Sequence, residues 1–92
     1  MTDDSTASDT NEQQVAEAVA FLESHGVPAN AREFRLRQEF FRHGWDMRVR
    51  EENGAWTVRA TKRDRPDVVA QGPTEGDSLR LALFAALTHD AT

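Results

Sequence analysis

Between Trp45 and Thr61 the chain alternates apolar and polar positions with a period of two. Trp45, Met47 and Val49 are interleaved with Asp46, Arg48 and Arg50, and Trp56, Val58 and Ala60 with Thr57, Arg59 and Thr61. This is the pattern of two strands with one face buried. Asn53-Gly54 lies between them, and that dipeptide suits a type I′ turn, which needs positive φ at both central residues. A two-residue loop sets Glu52 opposite Ala55. Val49 then faces Val58 and Met47 faces Ala60 on the core side, while Arg48 faces Arg59 and Arg50 faces Thr57 on the other. The segment KRDRPD (62–67) reads as a charged turn, and Val68 to Gln71 as a short third strand closed by Gly72-Pro73.

The flanking segments carry helical spacing. Thr10 with Gln13 forms a capping box for a helix to about His25. Its apolar stripe is Val15, Ala18, Val19 and Leu22, and Gly26 and Pro28 stop it. Asn30 with Glu33 offers a second capping box, for a helix to about His43 ended by Gly44. Phe34 and Phe41 share one side of that helix; Leu36 and Phe40 lie on another. Arg35-Leu36-Arg37 would also fit a short strand, and helix is the reading taken. Thr74 with Asp77 caps a last helix to about His89, with a main stripe of Leu79, Ala82, Leu83, Ala86 and Leu87. The expectation is one α+β domain over residues 11–90 in the order ααβββα, after a disordered acidic tail over residues 1–10.

Ninety-two residues suffice for one domain. There is no cysteine, so disulfides and thiolate metal sites are excluded. No apolar run approaches the ~20 residues of a membrane helix. The acidic, polar start lacks the pattern of a secretory signal, so the expected location is the cytoplasm.

Charge changes the picture. Residues 1–31 hold six acids and no Lys or Arg; residues 32–65 hold ten basic and six acidic residues; residues 66–92 hold four acids and Arg80. A chain of net charge −5 thus carries a positive centre, and a local basic surface is the footprint of anion recognition. Its sharpest part is the outer face of the hairpin. Arg48 opposite Arg59 places like charges across a strand pair, which is destabilising without a compensating anion. That anion is a ligand's phosphate or carboxylate, or else Glu52, Asp46 or another acid of the chain supplies it and the arginines are simply solvated. Lys62, Arg63 and Arg65 extend the patch into the turn. Arg35, Arg37 and Arg42 give the second helix a basic face of its own, together with Arg32. Nine of the ten central basic residues are Arg, which binds carboxylate and phosphate bidentately.

Other candidates read more simply. His25, His43 and His89 each fall near a helix C-terminus, where a cationic or donating side chain is favoured, and no two share metal-ligand spacing. The last helix is a core helix, or else a homodimer face built around Leu81 and Phe84. No nucleophile elbow, phosphate loop or dinucleotide fingerprint occurs. No catalytic residues, cofactor or metal are therefore expected.

The strand WTVRA (56–60) and the junction AQGPTEGDSLRLALFAAL (70–87) resemble the double-stranded RNA-binding domain, over roughly residues 12–89 with the second helix as an insertion. The resemblance implies an α-β-β-β-α order and contacts to RNA phosphates from lysines at the start of the last helix. Thr74, Glu75, Gly76, Asp77 and Ser78 stand there instead, which argues against that mode of binding. The two helices before a basic hairpin are also similar to a winged helix, with Arg32, Arg35, Arg37 and Arg42 on the reading helix and Arg48, Arg59 and Lys62 on the wing; the third helix of that fold is missing. The function expected is a small non-catalytic binding or adaptor module that recognises an acidic protein surface through Arg48, Arg50 and Arg59. The alternative is a nucleic-acid-binding protein using the same patch, and a third reading is a structural homodimer.

Overall fold

Strands β1 (Asp46–Glu52) and β2 (Ala55–Thr61) form the hairpin in the expected register, with Glu52 opposite Ala55, Val49 opposite Val58 and Arg48 opposite Arg59. Asn53 at φ 53° and Gly54 at φ 80° make the turn, both in the left-handed region that a type I′ turn requires. Strand β3 (Val68–Gly72) adds antiparallel to β2, giving one sheet of order β1-β2-β3. This is a computed structural model that describes the backbone of residues 3–91 and the side chains of residues 12–91.

Three helices complete the order ααβββα: α1 (Asp3–Ser24), α2 (Glu33–Arg42) and α3 (Glu75–Ala91). The fold is α+β. Helix α3 is the hub, packing on β2 and β3 from one side and on α1 and α2 from the other. Leu79, Ala82, Leu83 and Ala86 of its main stripe are fully buried, with Leu87 close behind, and they meet Leu22, Leu36, Phe40, Trp45, Val58 and Ala60. Met47, Val49 and Trp56, expected on the core face of the sheet, are half-buried. Burial of apolar surface at ~25 cal/mol per Å² is the main force holding such a layer together.

Helices α1 and α2 end in the same device. Val27 N–H donates to the Leu22 carbonyl at 2.9 Å and Gly26 N–H to that of Glu23 at 3.1 Å; Trp45 N–H donates to Phe40 at 2.9 Å and Gly44 N–H to Phe41 at 3.1 Å. These are Schellman pairings, in which the residue after the helix adopts positive φ and the next one turns back onto the last turn. Gly44 has φ 81°, a conformation that strains any side chain with a Cβ. Each turn delivers a buried residue, Val27 or Trp45, to the core. At the other end of the domain Thr74 caps α3, its Oγ1 accepting from Asp77 N–H at 3.1 Å.

Two boundaries differ from expectation. Helix α2 begins at Glu33 with Arg32 as N-cap and no side-chain cap, so Asn30 and Glu33 form no capping box. The loop is closed instead by Ala31 N–H on the Pro28 carbonyl at 3.0 Å and by Arg80, whose guanidinium donates to the Ala31 carbonyl at 2.7 Å. Helix α1 starts upstream of Thr10. The acidic tail expected over residues 1–10 lies outside the described side chains, and its backbone from Asp3 onward continues α1.

Candidate functional site

The helices cover one face of the sheet, and the strand alternation sends every second side chain to the other. On that outer face three cross-strand rows follow from the register: Asp46 and Thr61; Arg48, Arg59 and Val69; Arg50, Thr57 and Gln71. Arg48, Arg50, Arg59 and Val69 are exposed, Val69 by 58%. Gln71 Nε2 donates to Thr57 Oγ1 at 3.3 Å. The surface is therefore a basic centre with one bare valine, flanked by Thr57 and Gln71 on one side and by Asp46 and Thr61 on the other.

The basic residues singled out in the sequence fall into two groups. Most are engaged by the chain's own acids. Arg35 Nε donates to Glu39 Oε2 at 3.0 Å and its Nη2 to the Gly26 carbonyl at 3.1 Å. Arg42 reaches the same oxygen at 3.1 Å, and His43 Nε2 lies 3.7 Å from Glu39 Oε1. Glu39 itself is 3% exposed, so the basic face expected on α2 is largely a clamp around one buried carboxylate. Arg37 pairs with Glu75. Three of the four residues that a winged helix would use for reading, Arg35, Arg37 and Arg42, are thus tied down, while Arg32 stays exposed.

Lys62 and Arg65 also leave the patch. Lys62 Nζ donates to the His43 carbonyl at 2.8 Å and to Asp90 Oδ1 at 3.0 Å, and sits 5.8 Å from the ring centroid of Trp45. Arg65 Nε lies 3.6 Å from Asp90 Oδ1, while Trp45 Nε1–H donates to Asp90 Oδ2 at 3.0 Å. Burial pushes the Asp90 carboxyl up, but the bonds from Trp45 and Lys62, the Lys62 charge and the bond from Arg65 outweigh it and hold it below the ordinary aspartate value. This cluster is a structural clasp joining the end of α3 to the start of β1 and the β2–β3 turn.

Arg32, Arg48, Arg50 and Arg63 remain, with no ion pair or side-chain hydrogen bond among the described residues, and of these Arg48 and Arg50 lie on the outer sheet face. Arg59 has one loose neighbour, Asp67, at 3.8 Å, and both are well exposed. Asp46 and Glu52 do not reach the arginines. Two hollows border this face. One of about 480 Å³ is lined by Arg48, Arg50, Thr57, Arg59 and Val69. The other, about 670 Å³, is lined by Phe41, Asp46, Met47, Arg48, Arg59 and Thr61.

The suggested dimer residues sit differently. Phe84 is half-buried, its ring edge-on to that of Phe21 with centroids 4.7 Å apart, so α1 covers it; Leu81 is half-buried. The bare large apolar side chains among the described residues are Phe34, Phe41 and Val69, exposed by 73%, 58% and 58%. Among the same residues no helix is long and apolar enough to cross a membrane, and no three His, Asp or Glu side chains gather as a metal site would need. Sequence reasoning missed Glu39, Arg80 and Asp90, each of which is placed by contacts distant along the chain or by burial. The chain matches no known protein family, no curated protein and no solved structure.

Proposed function

We propose that this chain is a small, non-catalytic binding module of the cytoplasm that recognises an acidic segment of a protein partner with Arg48, Arg50 and Arg59. One observation carries the reading. Arg35, Arg37, Arg42, Lys62 and Arg65 are ion-paired within the fold, sharing Glu39, Glu75 and Asp90, while Arg48 and Arg50 stand on an uncovered sheet face without an ion pair and Arg59 has only Asp67 at 3.8 Å. Guanidinium groups placed side by side across strands repel each other. A ligand carboxylate accepting bidentate bonds from them relieves that repulsion.

A protein partner fits this face better than a polynucleotide. The chain's net charge is −5, which opposes long-range attraction of a polyanion. Arginine beside a bare apolar side chain is the composition of a protein interface. The test is fluorescence anisotropy with a labelled peptide of Asp and Glu, alongside labelled duplex DNA, duplex RNA and single strands, at low and physiological salt. The acidic peptide should bind and be lost in Arg48→Glu/Arg59→Glu. Nucleic-acid binding that survives physiological salt, disappears in that variant and falls with salt at ~0.9 log units per neutralised phosphate would overturn the reading in favour of a nucleic-acid ligand. Leu81→Glu should leave the mass in solution unchanged; a drop to half would establish a homodimer through α3.

A further inference from the structure

We infer that the hollow beside Phe41 seats a large apolar side chain of the partner, so that the segment recognised is acidic residues around an apolar anchor rather than a run of charge alone. The inference rests on the acidic-partner reading and adds to it a specificity. Phe41 lies in the last turn of α2, which packs against β1, and its ring is 58% exposed. A phenylalanine in that state leaves apolar surface in water that a partner can cover. It lines the hollow of about 670 Å³ together with the half-buried Met47, and Arg48 and Arg59 line the same hollow. Apolar and cationic side chains therefore line one and the same hollow. An extended peptide alternates its side chains, so an apolar residue directed onto Phe41 and Met47 has acidic neighbours available to Arg48 and Arg59. Asp46, also in the hollow, repels a carboxylate at that end and steers the partner's charges toward the arginine pair. Methionine and aromatic side chains at such a site adapt well to varied apolar partners.

Phe34 supplies the internal control. It is more exposed than Phe41, at 73%, and lies on the same face of α2, but two turns away, ~10 Å at 1.5 Å per residue, and it does not line the hollow.

Two labelled peptides decide the matter, one of Asp and Glu around a central Phe and one with Ser in place of the Phe, titrated against the wild-type chain, Phe41→Ser, Phe34→Ser and Arg48→Glu. The Phe peptide should bind the wild type about tenfold more tightly, equivalent to ~1.4 kcal/mol. Phe41→Ser should erase the difference between the peptides, Phe34→Ser should preserve it, and Arg48→Glu should weaken both. Equal binding of the two peptides by the wild type overturns the apolar anchor and leaves the acidic-partner reading standing. A preference that survives Phe41→Ser, or that Phe34→Ser removes, overturns the assignment to this hollow. No binding of either peptide at low salt overturns both.

Discussion

Replacing Asp90 with alanine tests the clasp that closes the domain, and its cost follows from the hydrogen bonds that the carboxylate accepts. Trp45 is 1% exposed, and its indole N–H has Asp90 Oδ2 at 3.0 Å as its acceptor. Leaving a buried donor unpaired costs about 1–3 kcal/mol. Lys62 loses one acceptor but keeps the His43 carbonyl at 2.8 Å and partial access to water, so its share is small, ~0–1 kcal/mol. Working the other way, a carboxylate in the last turn of α3 opposes the helix dipole, and its removal returns ~0.3–1 kcal/mol. The net is a destabilisation of about 2 kcal/mol. Asp90→Asn keeps an acceptor for the indole and should cost less than half as much. The assay is urea unfolding followed by tryptophan fluorescence at neutral pH, with thermal melts in parallel; ~2 kcal/mol corresponds to a fall in Tm of roughly 8–16 °C in a domain this small. The pH dependence supplies a second readout. The Asp90 carboxyl titrates lower in the folded chain than in the unfolded one, so the unfolded chain binds more protons in the window between them and stability rises with pH there. The contribution is complete above the unfolded value of ~3.9 and is lost as pH falls through the folded one. The gap between wild type and Asp90→Ala should therefore shrink below about pH 4. An Asp90→Ala variant within ~0.5 kcal/mol of wild type at neutral pH, or one no worse than Asp90→Asn, refutes the reasoning.

Arg48→Glu replaces a repulsive cross-strand pair with an attractive one, and should stabilise the domain by ~0.2–1 kcal/mol in urea while weakening the acidic peptide; a loss of stability would show that the arginines do not repel in the free chain. Glu39→Met exchanges a buried carboxylate for an apolar chain while Arg35 and Arg42 turn out to water, and should lie within about 1 kcal/mol of wild type. A much larger loss by thermal melting would mean that the clamp organises α2. Gly54→Ala has open space for its Cβ but sits at φ 80°, so the cost should come from the backbone alone, ~1 kcal/mol, without a change in the hairpin register seen by backbone NMR.

The hairpin was legible because its determinants are local. Asn53-Gly54 sets the register, and the alternation on either side leaves a single assignment of faces. The stripe of α3 was legible for the same reason, being a short-range periodicity. The start of α2 was not: Asn30 and Glu33 have the spacing of a cap, but the loop before them is held by Arg80 from α3, a contact that no local pattern announces. The division of the basic residues was likewise hidden. Lys62 and Asp90 are 28 residues apart, Arg37 and Glu75 38, and Trp45 and Asp90 45. Sequence could say that arginines and acids were interleaved, but only their arrangement in space says which arginines are left over. Glu39 is the plainest case, since no local pattern separates it from the other interleaved acids and it lies buried beneath two arginines.

The order β1-β2-β3 leaves two open strand edges, and they are defended unequally. Strand β1 bears Arg48, Arg50, Glu51 and Glu52, and charge of that density discourages an added strand. Strand β3 is Val-Val-Ala-Gln-Gly and has no charge at all. Its defence is brevity. Pro66 and Pro73 stand on either side of it, and neither has an N–H with which to prolong a ladder. A foreign strand that adds to this protein would therefore find its template at β3, and would find it five residues long.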